Sequence, residues 1–438
     1  MLKKCLVCEN IFEGRIDRRT CSPKCKKRLE RFKKQADNFK RVCPICSAIF
    51  IPKRKDQTTC NNACRQKLYR DRSITPMQIL CAGGNKRYVE IGFMHGFMHG
   101  ARLPNQSEHY ASIFFADQNW KTPNLDAYLK SIKKYRPYLA TVRDWESKKQ
   151  FEEVMEWGKA ISPFVRKIII IPKVLQGIPR IPPTIGGKEV VLGYSIPTSH
   201  GGTTIPIEEF EGWPIHILGG SPQKQISIWK QLRKKSRVIS CDGNYMLKLA
   251  RNNQFWSPKA IKSAKNRFWP QLQEVGAGMI THDSNYEACR RTCESIKNSW
   301  QLLKNALDTS LCRYAEKEDI KQIKLIADDN RNHFGFIPQV AFEESLENKE
   351  LLYHPAGAFC RFHRRRDGWC TVYELCVDDI VRQMGLGKFL LEQLPMPFRL
   401  KCPMDNIANE FYRHLGLNYK GSTAGKTSFL NIWERLQR

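Results

Sequence analysis

The sequence predicts a multidomain α/β protein in which two small zinc modules precede a (β/α) barrel-like domain and a final α+β domain. Three observations support this: a repeated cysteine spacing near the start, a long middle region that alternates short apolar runs with amphipathic helices, and a strand, glycine-turn, helix pattern near the end. The 438 residues suit about two to four domains. We place their boundaries at 1–38, 39–75, 76–310 and 311–438.

Two segments near the start repeat one cysteine pattern. The first reads Cys-x2-Cys-x12-Cys-x3-Cys and the second Cys-x2-Cys-x13-Cys-x3-Cys. Four thiolates at such spacing suit tetrahedral zinc, and segments this short need the metal in order to fold. We therefore expect two structural Zn²⁺ sites. Their ligands are Cys5, Cys8, Cys21 and Cys25 in the first module, and Cys43, Cys46, Cys60 and Cys64 in the second.

Charge is concentrated in the same region. The chain carries a net charge of +30, and its first 75 residues hold 21 Lys and Arg against 7 Asp and Glu, a net of +14. A basic block of this kind favours contact with a phosphate backbone, and DNA is the preferred partner. A merely solubilising surface is the alternative.

Composition excludes several other classes. A hydrophobic content of 41% is too high for a disordered chain. An odd total of 17 cysteines and the lack of a secretion-signal pattern favour reduced thiols over a disulfide framework. No apolar run is long enough for a membrane span. We expect a cytoplasmic protein of a bacterial or phage-infected cell.

The middle region alternates strand-like runs with helical ones, and this pattern predicts a parallel α/β barrel, with a doubly wound sheet as the alternative. Helices are predicted at Asn124–Lys134, Ser147–Ala160 and Pro222–Lys234. The strand-like runs are Val89–Phe93, Ser112–Phe115, Tyr138–Val142, Lys167–Ile171, Val190–Leu192, Ile215–Leu218 and Val238–Ser240.

Polar residues follow several of these runs. Asp117, Asp144 and Asp242 each come just after a run, and the pair Gly219 and Gly220 follows another. In a barrel, chemistry is located at the carboxyl ends of the strands. A single aspartate there could be a helix cap or a turn residue, but three of them predict a functional site.

The order of these residues resembles the tRNA-guanine transglycosylase superfamily, including its relatives that insert 7-deazaguanines into DNA. The resemblance implies that Asp117 handles protons, Asp144 and the Gly219–Gly220 turn bind the base, and Asp242 attacks the sugar. The chain departs from the tRNA enzymes in one run, where Asp117-Gln118-Asn119-Trp120 replaces Ser-Gly-Gly-Phe, and in lacking a clear cysteine-rich site after Asp242. Both departures favour a DNA-acting or otherwise diverged member.

The last region combines strand-like runs at Ala356–Phe362 and Thr371–Val377 with a glycine turn, Arg382-Gln383-Met384-Gly385-Leu386-Gly387-Lys388. Such a turn before a helix presents N–H groups to an anion. Asn406 then precedes a helix that contains Phe411 and Tyr412.

This order resembles the GNAT N-acyltransferase family over residues 311–438. The resemblance implies that acetyl-CoA or another acyl-CoA binds at the turn and near Asn406. Tyr412 would protonate the departing thiolate, and Glu374 would act as a general base; packing roles are the alternative for both. The implied cofactor-binding residues are Arg382, Gln383, Gly385, Gly387, Lys388 and Asn406.

Together these patterns predict a transferase that modifies nucleic-acid bases. The barrel would exchange guanine for a 7-deazaguanine in DNA, and the last domain would acylate the inserted base or its precursor. One alternative is an acyltransferase with a DNA-binding zinc region and a non-catalytic middle domain. The other is a DNA-binding regulator without enzymatic activity.

Overall fold

The protein is described by a computed structural model. The described residues are 75–82, 85–104, 111–198, 201–263, 284–425 and 428–436, with short pieces between residues 2 and 64. These residues divide into two compact units. The first comprises Met1–Trp256 with Ile261–Glu294, and the second comprises Ser257–Ala260 with Ser295–Arg438.

The first unit contains eight parallel strands that close on themselves. Each strand pairs with the next along the chain, and the last pairs with the first. The strands are β1 Met77–Cys81, β2 Met98–Leu103, β3 Phe115–Gln118, β4 Leu139–Thr141, β5 Lys167–Ile170, β6 Lys188–Ser195, β7 Pro214–Leu218 and β8 Arg237–Gly243. The predicted parallel barrel is therefore confirmed, and the doubly wound alternative is wrong.

Apolar side chains from alternate strand positions fill the barrel core, as expected where a small barrel holds side chains rather than a channel. This core includes Ile79, Phe115, Leu139, Ile169 and Val191, all of them buried. Because side chains alternate along each strand, residues two positions further on, at the carboxyl ends, lie on the same inward side.

Helices follow five of the strands. Asn124 caps the second of them by accepting from the backbone N–H of Ala127 at 2.9 Å, and Ser221 caps the fourth. The helices are α1 Lys86–Met94, α2 Leu125–Tyr135, α3 Phe151–Ile161, α4 Pro222–Leu232 and α5 Tyr245–Arg251. A short strand Thr184–Ile185 adds to β6, and Gln254–Trp256 pairs with Ile261–Ser263.

The start of the barrel differs from the prediction. Val89–Phe93, predicted to be a strand, lies inside α1. The side chain of Asn85 caps this helix by accepting from the backbone N–H of Tyr88 at 3.2 Å. This cap and the buried face formed by Val89, Ile91 and Gly92 override the strand preference of the apolar residues.

The repeated tetrapeptide Phe-Met-His-Gly has two structures. Its first copy, residues 93–96, ends α1, where Gly96 adopts a φ of +80°. Its second copy begins at buried Phe97 and leads into β2 at Met98. The left-handed glycine stops the helix, so identical sequences belong to a helix end and a strand start.

The second unit is a mixed seven-stranded sheet in the order β9-β10-β11-β12-β13-β15-β14. All neighbours pair antiparallel except β12 and β13, which run parallel. The strands are β9 Arg313–Tyr314, β10 Leu351–His354, β11 Ala358–Arg364, β12 Cys370–Val377, β13 Phe398–Pro403, β14 Asn418–Ala424 and β15 Phe429–Arg435.

Helices precede or connect these strands, and the first of them has residues in both units. One apolar cluster packs two others, Ile320–Asp329 and Gln339–Glu347, on the sheet. Ile323, Phe342 and Phe359 lie fully buried in that cluster. The helices are α6 Ser284–Asn305, α7 Ile320–Asp329, α8 Arg331–Phe334, α9 Gln339–Glu347, α10 Leu386–Glu392 and α11 Ala408–His414. Across the described part of the chain, no helix combines the length and apolarity needed to cross a bilayer.

Candidate functional sites in the two units

The carboxyl end of the barrel brings the predicted aspartates together. Asp117 lies in β3, Asp242 lies in β8, and Asp144 follows β4. Asp117 is close enough to both others for their negative charges to raise its pKa. The three side chains are 22%, 13% and 18% exposed, respectively, so each borders the interior and remains accessible.

Asp242 accepts hydrogen bonds at both carboxylate oxygens. Its Oδ1 accepts from the backbone N–H of Gly219 at 3.2 Å and lies 3.3 Å from Nε2 of His216. Its Oδ2 accepts from the Cys81 thiol at 3.3 Å. These contacts fix the orientation of the Asp242 carboxylate at the end of β8.

Asp117 is suited to proton transfer near neutral pH. Burial and then the charge of Asp242 raise its pKa to about 7, while Arg102 acts in the opposite direction. Nε of Arg102 lies 3.7 Å from Oδ2 of Asp117, and the hydroxyl of Thr141 donates to Oδ1 at 3.2 Å. A carboxyl group with a pKa near the working pH can both give and take a proton.

Asp144 forms an ion pair at the rim of the same site. Nζ of Lys173 lies 2.8 Å from Oδ2 of Asp144 and 2.9 Å from Oε1 of Glu146. Burial raises the pKa of Asp144, and the hydrogen bond and charge of Lys173 oppose that rise. The ion pair therefore holds the Asp144 side chain beside the other two aspartates.

The Gly219–Gly220 turn is held against β8. The side chain of Gln225 donates to the backbone oxygens of Gly219 at 2.9 Å and Asp242 at 2.7 Å. Both glycines have positive φ values, +67° and +77°, which is the left-handed region that favours glycine. The turn therefore places the Gly219 N–H on the Asp242 carboxylate.

Two of the four predicted cysteine pairs lie among the described residues. The sulfurs of Cys21 and Cys25 are 3.7 Å apart, and those of Cys60 and Cys64 are 3.6 Å apart. Zn–S bonds of about 2.3 Å in a tetrahedron place two sulfurs about 3.8 Å apart, so both pairs fit shared ligation. Their expected partners Cys5, Cys8, Cys43 and Cys46 lie outside the described residues. The described residues alone contain no group of three metal-ligating side chains.

In the second unit, the two parallel strands separate. The register of β12 and β13 joins Cys370–Val372 to Phe398–Leu400 and ends there, although the strands continue to Val377 and Pro403. A wedge between the carboxyl ends of two strands exposes backbone groups that an extended ligand can pair with.

The predicted glycine turn follows β12 at this wedge. Gln383 and Gly385 have φ values of +66° and +95°, and α10 begins directly after Gly385. Arg382 is held by the backbone oxygen of Val377 at 3.1 Å and the side chain of Asn330 at 3.1 Å. The turn is thus tied to the end of β12.

The other residues predicted near the turn have local roles. A Cβ on Gly387 would lie 3.2 Å from the Phe411 ring, so a larger residue here would require a small shift of that ring. Nζ of Lys388 lies 3.7 Å from Glu392, which is a surface ion pair. The Asn406 side chain accepts from the backbone N–H of Ala408 at 2.9 Å, at the start of α11.

Tyr412 and Glu374 differ in their surroundings. Tyr412 is buried, and burial followed by the nearby Cys402 and Cys360 raises its pKa, which keeps the phenol protonated. Glu374 forms a two-point ion pair with Arg361, with N–O distances of 2.6 and 2.8 Å. A base role for Glu374 would require release of one of these bonds.

The inner residues of the barrel site were not predicted from the sequence. His216, Ser240 and Cys81 each carry a polar atom within a mainly apolar strand. The signal that could have identified them is their spacing, since Ser240 lies two positions before Asp242. Inward-facing polar residues in a barrel strand require a partner.

Comparison with known proteins gives a family match over the barrel. Residues 88–301 match the model of a family described as a family of unknown function (DUF6610). No curated protein matches the chain.

Solved structures similar to part of the chain are acetyltransferases. Ard1 from Thermoplasma volcanium is 17% identical, with 29% of this chain and 97% of that chain covered and a TM-score of 0.26. The ribosomal-protein-S18-alanine N-acetyltransferase from Escherichia coli is 19% identical, with 28% and 90% covered and a TM-score of 0.24. An acetyltransferase from Bacillus anthracis, solved in complex with acetyl coenzyme A, is 17% identical, with 20% and 63% covered and a TM-score of 0.18.

Proposed function

We propose that the barrel unit exchanges a purine base at the glycosidic bond of a nucleic acid, with guanine leaving and a 7-deazaguanine entering DNA. The observation that carries this proposal is the convergence of three carboxyl groups at the barrel end, where Asp242 accepts hydrogen bonds at both oxygens and the pKa of Asp117 is about 7. Two carboxyl groups with different protonation states can share nucleophilic and acid–base work.

In this scheme, Oδ2 of Asp242 attacks the anomeric carbon of the sugar. The bond from that carbon to N9 breaks, its electron pair goes to N9, and protonated Asp117 supplies a proton to the leaving guanine. The incoming base then loses its N9 proton to the Asp117 carboxylate and attacks the same carbon. The sugar–ester bond breaks, and the Asp242 carboxylate is regenerated.

Other charged groups of the chain indicate that the substrate is a base within a nucleic acid. Asp144 would accept from the N–H groups of the base. The basic block of the first 75 residues, with its net charge of +14, would hold the phosphate backbone, and two Zn²⁺ ions bound by the eight predicted cysteines would fold that block. A base in duplex DNA must leave the stack to reach such a site.

The test is incorporation of radiolabelled guanine into DNA, with tRNA in parallel. Guanine exchanges for itself, so the assay does not depend on the identity of the natural base. The wild type should incorporate label into one of the two nucleic acids, and Asp242→Asn should abolish incorporation. Asp126→Asn, which removes an exposed carboxylate of α2, is the matched control. Equal incorporation by the wild type and Asp242→Asn would refute the assignment.

A second candidate function, acyl transfer in the second unit, is favoured by the wedge between β12 and β13 and the glycine turn beside it. The turn would bind the pyrophosphate of an acyl-CoA, and Tyr412 would protonate the departing thiolate. The acceptor would be the inserted base or its precursor.

Acetyl-CoA binding measured by calorimetry tests this function. Gly385→Val should abolish binding because φ at this position is +95°. Tyr412→Phe should leave binding intact and slow turnover. Equal heats of binding for the wild type and Gly385→Val would exclude the turn as the cofactor site.

A further inference from the structure

The two oxygens of Asp242 are in different chemical surroundings. Oδ1 faces two nitrogen groups, the Gly219 N–H at 3.2 Å and Nε2 of His216 at 3.3 Å. Oδ2 faces the Cys81 thiol at 3.3 Å. An N–H group is a stronger donor than a thiol. The hydrogen bonds at Oδ1 are therefore stronger than the one at Oδ2.

The His216 ring is held by other residues at the nitrogen that does not face Asp242. Its Nδ1 lies 2.7 Å from the Ser240 hydroxyl, and both side chains are buried. The ring also packs against Phe115, with centroids 4.7 Å apart. Because a carboxylate only accepts, Nε2 must carry the proton that it shares with Asp242. In the neutral ring, Nδ1 then accepts from the Ser240 hydroxyl.

We infer that His216, oriented by Ser240, acts with Gly219 to hold Oδ1 of Asp242. Oδ2, which among the described residues accepts only from the weak Cys81 donor, is then the attacking oxygen. This inference rests on the proposed base exchange and adds His216 and Ser240 as positioning residues.

The assignment also fits the covalent step. When Oδ2 bonds to the sugar, Oδ1 becomes the ester carbonyl oxygen and can keep both of its N–H donors. The hydrogen bond from the Cys81 thiol withdraws less electron density from Oδ2 than an N–H or O–H donor would, so it weakens the nucleophile less. Burial and the Asp242 charge raise the pKa of this thiol, so it stays a donor rather than a competing nucleophile.

One experiment tests the chain of hydrogen bonds from Ser240 through His216 to Asp242, here called the relay, without requiring enzymatic activity. The urea midpoints of Ser240→Ala, Asp242→Asn and the double variant are compared with the wild type at pH 7. In the relay, Ser240 matters because it orients His216 toward a carboxylate. Its replacement should therefore shift the midpoint less in the Asp242→Asn background than in the wild type. Additive shifts would overturn the relay.

A second experiment uses Cys81 to identify the attacking oxygen. Cys81→Ser places a stronger donor on Oδ2 and should slow single-turnover guanine incorporation about tenfold. Cys81→Ala removes this donor from Oδ2 and should react faster than the wild type. Equal or reversed rates for the two variants would refute the choice of Oδ2. Non-additive midpoints without any wild-type incorporation would instead refute base exchange and retain the relay.

Discussion

Replacement of Asp117 by Asn should stabilise the barrel unit in a pH-dependent way. The pKa of Asp117 rises from 3.8 to about 7 on folding because the carboxyl is buried and lies near Asp242. A raised carboxyl pKa means that the folded state keeps a proton that the unfolded state has lost. Stability therefore falls as pH rises from about 4 to 7.

The magnitude follows from the size of that shift. At about 1.36 kcal/mol per pKa unit, the shift corresponds to an upper limit of about 4 kcal/mol above pH 7. Asparagine retains an oxygen that can accept from Thr141, so the replacement removes the charge while preserving that contact. The gain of Asp117→Asn over the wild type should be near zero below pH 4 and complete above pH 7.

Urea unfolding between pH 3.5 and 8.5, followed by tryptophan fluorescence, measures this gain. Asp126→Asn is the control, because Asp126 is an exposed aspartate of the same unit. Its effect should stay within a few tenths of a kcal/mol across the range. A gain for Asp117→Asn that does not change with pH, or a loss above pH 7, would refute the reasoning.

Three further predictions concern the barrel site, its glycine turn and the zinc modules. Arg102→Gln removes the cation that lowers the pKa of Asp117, so the pH profile of guanine incorporation should move to higher pH; an unmoved profile would contradict this. Gly220→Ala should destabilise the barrel by about 1–3 kcal/mol, because its Cβ would lie 2.7 Å from Ile196. Gly219→Ala meets nothing within 4 Å and should cost less in the same urea assay. Treatment of the protein with a chelator should release two Zn²⁺ per chain, measured in a colorimetric metal assay. Release of no Zn²⁺ would contradict both predicted zinc modules.

The position of the barrel site could be predicted from sequence because strand order alone determines it. The carboxyl ends of parallel strands meet at one face, whatever the strand lengths. Asp117, Asp144 and Asp242 therefore came together although two strands, Met77–Cys81 and Met98–Leu103, were not predicted.

The errors at the start of the barrel have a local cause. Val89–Phe93 is rich in residues that favour strands, but Asn85 caps a helix there. The tetrapeptide repeat shows the limit of local patterns, because the left-handed Gly96 decides which copy ends a helix.

The surroundings of Asp242 depend on contacts between residues far apart in sequence. Cys81 is 161 positions from Asp242, and His216 and Ser240 are inward-facing residues of neighbouring strands. The two-residue spacing of Ser240 and Asp242 is the one link visible in the sequence. Pairing of β7 with β8 places His216 beside Ser240, and closure of the barrel by β1 and β8 brings Cys81 to Asp242. A strand-end carboxylate therefore identifies where a barrel site lies, while the inward residues beside it determine which oxygen reacts. Variants of His216, Ser240 and Cys81 consequently test the chemistry more directly than further variants at the strand ends.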